Sequence, residues 1–386
     1  MRFAHSSRRS PDPSTALTVA RIDASAIAAN VARVRAASGA PRVMAVVKAD
    51  GYGHGAATAA RAALDGGADQ LGVVTPGEAL ALRDAGVRAP ILAWIWEPGH
   101  QAELVERAVG RDVDLAVQSV AHLDAVIAAG RRVGRRPRVT VKADTGMNRG
   151  GFSVVAGDLG AAADALAEAH RSGAVEVTGV MSHLACADEP GHPSIDMQAG
   201  RFRDAIAALR DRGLEVPVNH LANSAAAVSR PDLAFDMVRP GIALYGHEPF
   251  PGAIGGLRPA MTLTSRVQLV KDVPAGEAVS YGRTWTAERD TRVAVVPWGY
   301  ADGLPRALSG RFSVAIGGRR YPQVGRVCMD QFVVEVGDAV HPGDEVRIFG
   351  DGSGGEMTAT ELADAMGTIS YEIVTAVRGR VVRVEA

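Results

Sequence analysis

Lys48, Lys142 and Lys271 are the only lysines among 42 basic residues; the rest are arginines. Arginine supplies charge as well as lysine does, but only a primary amine can shed its proton and attack a carbonyl carbon. A lysine in so arginine-rich a chain therefore points to a position where the amine itself is needed. Lys48 follows the apolar run Val43–Val47 and precedes Ala-Asp-Gly-Tyr52-Gly-His-Gly-Ala56. Gly51 to Ala56 also fits the loose dinucleotide pattern G-x-G-x-x-G/A, so a nucleotide loop is a competing reading. Against it, Lys48 and Asp50 intrude where such a strand runs apolar into its first glycine. The better reading is an amine at a strand end that condenses with an aldehyde, with Tyr52 near for a phosphate. Lys142 and Arg149 share the second motif, Lys142-Ala-Asp-Thr-Gly-Met-Asn-Arg149, where a guanidinium can grip a carboxylate in bidentate fashion. His183, Cys186 and His192 lie close in sequence, yet their spacing fits no strong zinc pattern, and no metal is expected. Asn223 and Ser224 open a helical stretch whose first amides and hydroxyl suit a phosphate, with a plain N-cap as the simpler role for Ser224.

The elements that must position these groups are legible as a period. Short β-branched runs recur at Val43–Val47, Leu71–Val74, Ile91–Trp94, Val113–Val117, Arg138–Lys142, Val177–Met181, Val216–Leu221 and Met237–Tyr245. Ala-, Leu- and Arg-rich stretches of helical spacing separate them. Eight strands alternating with helices predict an α/β TIM barrel, (β/α)8, an open doubly wound sheet being the alternative. Lys48, Arg149 and His183 then stand at C-terminal strand ends, where barrel active sites form. Beyond Tyr245 a Pro- and Gly-rich stretch leads into short alternating runs with Gly, Pro and Asp turns, which predict a mainly β C-terminal domain. Thr358–Met366 reads as a helix and Ile373–Val384 as a closing strand or pair. The division expected is a disordered tail over 1–16, a barrel over 17–248 and a mainly β domain over 257–386. The run 17–22 is open to pairing with that last domain.

From about Thr18 to Val384 the chain resembles the alanine racemase family, a barrel followed by a β domain that uses pyridoxal phosphate (PLP). The likeness rests on several separate motifs, including Val279-Ser-Tyr281-Gly-Arg, Trp298-Gly-Tyr300, Cys328-Met329-Asp330 and Thr368-Ile-Ser-Tyr371. It implies Lys48 as the amine that holds the cofactor and Tyr281 as a second acid–base reaching in from the other subunit of a homodimer. Racemisation needs proton exchange on both faces of Cα, and two opposed groups are the simpler solution, provided a cation near the phenol favours its ionised form. The resemblance implies Arg149 and, from the other subunit, the Met329 amide on the substrate carboxylate. It also implies a carbamylated Lys142, His183 beside the cofactor ring, and His220 as a further partner of the arginine behind it. Tyr52, Asn223, Ser224, the amides of Gly241 and Ile242, and Tyr371 are implied for the phosphate, and Tyr300 for the entrance. Arg239 matches the residue at the pyridine nitrogen; because arginine yields its proton poorly, the ring stays neutral and proton return to Cα is favoured over transamination. Trp298 stands where the family usually has a small aliphatic residue, which bears on substrate breadth.

Composition excludes other classes. Formal net charge is -1 with 22% charged residues, so nothing biases the chain towards nucleic acid or membrane surfaces. Arg8-Arg9 has no apolar run behind it, against an export signal, and two cysteines without a CxxC suit a reducing, cytoplasmic setting. The activity expected is interconversion of L- and D-alanine, supplying D-alanine for peptidoglycan. The alternatives are a broader amino-acid racemase, a PLP-dependent decarboxylase of a basic amino acid, or a PLP carrier, the last leaving the second domain unexplained.

Overall fold

The computed structural model describes residues 15–386, so the tail expected over 1–16 lies almost wholly outside the described residues. Two compact units emerge. One comprises Ser25–Gly51 and Ala56–Arg258; the other comprises Pro259–Ala386, Tyr52–Gly55 and the N-terminal segment up to Ala24.

The first unit is a parallel barrel. Strands Met44–Val46, Gln70–Val73, Ile91–Ala93, Val113–Val117, Arg138–Asp144 and Glu176–Met181 each pair with the next. Helices such as Ala56–Asp65, Pro76–Asp84, Val120–Val133 and Ser194–Arg210 alternate with them. The strands are covered on both faces, which is why they read as unbroken apolar runs rather than alternating ones. The runs expected as the seventh and eighth strands are not strands. They form only isolated bridges, Met181 to His220 and Val43 to Val238, and Ile242–Tyr245 turns as a 3-10 helix. Pro217 and Pro240 explain this, since proline has no N–H to give a ladder. The ring nevertheless closes through His220 N to Val180 O at 2.9 Å, Arg239 N to Ala222 O at 2.9 Å and Met44 N to Val238 O at 2.8 Å.

The second unit is mainly β. Val19–Ile22 pairs antiparallel with Met261–Arg266 and parallel with Val382–Glu385. Thr291–Val296, Phe332–Val336 and Arg319–Val324 lie side by side as antiparallel neighbours in the same sheet system. Helix Ala359–Met366 starts at a reciprocal cap between Thr358 and Glu361 and stops at left-handed Gly367. The expected strand or pair over 373–384 is corrected: Ser370–Ala376 is helical and only Val382–Glu385 is strand. Ile373, Val374 and Val377 are buried at helical spacing, a period the β-branched composition obscured. Among the described residues no helix is long and apolar enough to cross a membrane.

Candidate active site

Lys48 leaves the strand Met44–Val46 and enters an unusual turn. Ala49, Asp50 and Gly51 take φ of 53°, 54° and 63°, and Tyr52 follows at 51°. Consecutive left-handed residues cost roughly 1–2 kcal/mol each for side chains other than glycine, so the turn must be held from outside. Glu78 Oε1 accepts from Ala49 N at 2.8 Å, Asp50 Oδ1 accepts from Ala56 N at 2.8 Å, and Gly51 N donates to Val47 O at 3.0 Å. A Cβ on Gly51 would stand 2.8 Å from that of Ala59, so glycine is required there.

Cations gather around this lysine. Burial and the nearby Arg149 hold the Lys48 amine below its ordinary pKa, with Glu78 opposing them. Lys142 is lowered too, by burial first and then by Arg149 and Arg239. Its Nζ reaches Gln118 Oε1 at 3.4 Å, while Gln118 Nε2 donates to Trp94 O at 2.7 Å. Arg149 is exposed and has no ion-pair partner among the described residues. The chemistry follows directly: an amine that sheds its proton readily, beside an unengaged guanidinium suited to a carboxylate or phosphate.

Arg239 is buried behind them. Its Nη1 donates to His220 Nδ1 and O, and its Nη2 to Ser182 O, His183 Nδ1 and Leu221 O. Both imidazoles accept at Nδ1 and therefore carry no proton there. Burial, reinforced by Arg239, Arg149 and both lysines, pulls His183 down to about 3, and burial with Arg239 holds His220 well below its usual value. Burial lowers Arg239 itself to about 10, so it remains a cation at neutral pH. Its remaining N–H, on Nε, meets no acceptor among the described residues.

Asn223 caps the helix Ser224–Ser229, its side chain accepting from Ala226 N at 3.1 Å, so the cap is Asn223 rather than Ser224. Ser224 Oγ instead accepts from Gly241 N at 2.8 Å, joining that helix start to the chain entering Ile242–Tyr245. The cap and the Ser224–Gly241 bond bring four of the expected phosphate residues into one neighbourhood.

Tyr52, Tyr371, Tyr281, Tyr300 and Met329 belong to the second unit. Tyr52 and Tyr371 face each other with ring centroids 6.0 Å apart, and burial, then Tyr371, drives the Tyr52 phenol above its usual range. Tyr281 and Met329 flank one surface depression with Cys328 and Asp330, at 67% and 53% exposure. His183, Cys186 and His192 do not form a ligand set: His192 Nδ1 pairs with Ser194 Oγ at 2.8 Å, and no metal-competent cluster occurs among the described residues.

Sequence reading missed a polar network beneath the barrel mouth. Gln198 is fully buried, donates from Nε2 to Thr145 Oγ1 at 3.2 Å and His183 O at 3.0 Å, and accepts from Ala185 N at 2.9 Å. Thr145 Oγ1 meets Ser182 Oγ at 2.9 Å. The loop bearing Arg149 is thereby tied to the segment bearing His183. The barrel's donor set fits PLP: an amine for the aldehyde, an arginine N–H for the pyridine nitrogen, neutral imidazoles beside the ring, and a helix start with a hydroxyl for the phosphate.

The description "Alanine racemase, N-terminal domain" matches residues 22–249, and "Alanine racemase, C-terminal domain" matches residues 260–385. Alanine racemase of Mycolicibacterium vanbaalenii is 55% identical over 372 residues, 95% of this chain and 94% of that one. Alanine racemase of Thermobifida fusca is 50% identical, covering 95% and 97%. Among solved structures, alanine racemase from Streptomyces coelicolor superposes with a TM-score of 0.92 at 46% identity, over 96% of this chain and 98% of that one. The Bacillus anthracis enzyme with bound L-Ala-P gives 0.87 at 34% identity, over 97% and 96%. The fold is accordingly a TIM barrel followed by a mainly β domain, and the chain belongs to the alanine racemase family.

Proposed function

We propose that this chain is a PLP-dependent alanine racemase that interconverts L- and D-alanine. The observation that carries the reading is the Lys48 amine, depressed by burial and by Arg149, in a mouth where Arg239 keeps one N–H unspent. When bound, PLP supplies an aromatic electron acceptor that acidifies the Cα–H of an attached amino acid. Lys48 Nζ would hold the cofactor and would take or return a proton on one face of Cα. The Tyr281 phenol of a second copy does the same on the opposite face. Arg149 and, from the second copy, the Met329 amide hold the substrate carboxylate, which fixes Cα between the two bases. Arg239 would donate to the pyridine nitrogen of bound PLP without surrendering its proton, which would favour return of the proton to Cα. His183 and His220 orient Arg239, and Tyr52, Asn223, Ser224, Gly241, Ile242 and Tyr371 bind the phosphate. Lys142 steadies Arg149, and carbamylation would turn the repulsion between two cations into attraction.

A homodimer with shared sites is part of the same reading; the exposure of Tyr281, Met329 and Ile369 in the second unit supports it, since large apolar side chains are left uncovered. The enzyme acts in the cytoplasm, where D-alanine feeds peptidoglycan synthesis. A decarboxylase would place a carboxylate at the pyridine nitrogen, and Arg239 weighs against it. The test is L-alanine with the PLP-loaded protein in D2O: optical rotation decays to zero and deuterium enters Cα without CO2. Persistent rotation, or release of CO2, would refute the reading.

A further inference from the structure

Tyr281 sits in the loop of a short ribbon in which Ala278 and Val279 pair with Thr286 and Trp285. The residue before it is out of the ordinary. Ser280 has φ 67° and ψ -176°, a region that is nearly glycine-only and costs of order 1–3 kcal/mol for any other residue. Such a conformation persists only where neighbours over-determine it, and here they do. Ser280 Oγ donates to Arg326 O at 2.7 Å and lies 3.4 Å from Cys328 Sγ, which itself reaches Arg326 O at 3.6 Å. The opposite chain presses close: a Cβ on Gly325 would stand 2.6 Å from Val279 O, and one on Gly282 would stand 2.8 Å from Arg326 Nη1. That chain is itself pinned, with Cys328 O accepting from Tyr300 N at 3.2 Å and Met329 O from Ala301 N at 3.0 Å.

We propose that Ser280 is a positioning residue for the Tyr281 phenol, its hydroxyl clamping the tyrosine loop to the segment that carries Met329. The inference rests on the racemase reading above, in which these are the acid–base and a carboxylate-holding amide. An aliphatic residue could fill the space, but it would leave the Arg326 carbonyl with only the longer Cys328 thiol contact and the strained backbone unsecured. Glycine would relax the backbone and leave the loop untethered. Phenol and carboxylate site are thus set in one rigid piece.

The test uses PLP-loaded wild type, Ser280→Ala and Ser280→Gly, with L- and D-alanine deuterated at Cα. Loss of the tether should lower kcat about three- to tenfold, the range of one hydrogen bond. The isotope effect distinguishes positioning from damage. In the racemase reading Tyr281 is the base for L-alanine and Lys48 the base for D-alanine. Proton removal from L-alanine therefore becomes more rate-limiting, and the effect with deuterated L-alanine rises. With deuterated D-alanine, whose proton goes to Lys48, it does not rise. Amide exchange over residues 278–286 should quicken in both variants. Ser280→Gly guards against misfolding, because it removes the hydroxyl while relieving strain. Wild-type isotope effects in both folded variants, or an equal rise from both isomers, would overturn the proposal. Wild type unable to racemise alanine would instead sink the racemase reading itself, so the two failures are separable.

Discussion

Arg239 donates from Nη1 to both Nδ1 and the carbonyl oxygen of His220, at 3.0 and 2.6 Å. One guanidinium group thereby fixes an imidazole tautomer and a backbone turn, while Nη2 does the same for His183 and Ser182. Lysine cannot reproduce this fork, because its ammonium offers three donors from a single point. Arg239→Lys should cost about 2–4 kcal/mol of stability, as several bonds to a buried charge are lost together. Chemical denaturation checks it; a variant as stable as wild type would show that the fork does not hold the barrel mouth.

Buried histidines make the fold sensitive to acid. His183 lies at about 3 and His247 at about 4, both from burial first, and His220 also titrates well below the ordinary value near 6.5. As pH falls below about 6.5 the unfolded chain takes up protons that the native state refuses. Stability is therefore full above that pH and declines through the window down to about 4, by about 1.4 kcal/mol per pH unit for each histidine. His247 Nε2 has no hydrogen-bond partner among the described residues, so His247→Leu should keep the fold and flatten the slope by one histidine's share. Unfolding free energies measured from pH 7 to 4.5 decide this; an unchanged slope would contradict it.

Arg149 acts on Lys48 through charge and, in the proposed function, on substrate through hydrogen bonds. Arg149→Leu removes a cation that disfavours the ammonium, so the pH at which Lys48 loses its proton should move upward. KM for alanine should rise about ten- to a hundredfold, the worth of a charge-assisted pair. The first effect is read from the pH dependence of amine acylation in cofactor-free protein. The second comes from steady-state kinetics.

The turn after Lys48 tolerates little. Gly51→Ala places a Cβ at φ 63° and 2.8 Å from Ala59 Cβ, which should cost about 2–3 kcal/mol. A melting temperature equal to wild type would mean that the turn relaxes.

Rare residue types made part of this site legible from the sequence. Lys48 stood out because lysine is scarce, and Arg149 because it shares a motif with Lys142, whereas Arg239 was read from the family resemblance. The structure brings Arg239 to His183 and His220, and Ser224 to Gly241. Gln198, Thr145 and Ser182 were illegible: common residues, separated by up to 53 positions, whose contact exists only once the barrel closes. The last two staves were misread as strands since their β-branched runs outweighed a single proline in each. Residues 373–376 were misread for a similar reason, as helical burial of Ile373 and Val374 mimics a strand in a short window.

In the proposed function one amine, Lys48, captures the aldehyde coenzyme. Borohydride reduction of the PLP-loaded protein, followed by peptide mapping, tests it directly, and with only three lysines the outcome is unambiguous. One reduced coenzyme per chain is expected, on the peptide carrying Lys48. Label on the Lys142 or Lys271 peptide instead, or no label at all, would contradict it.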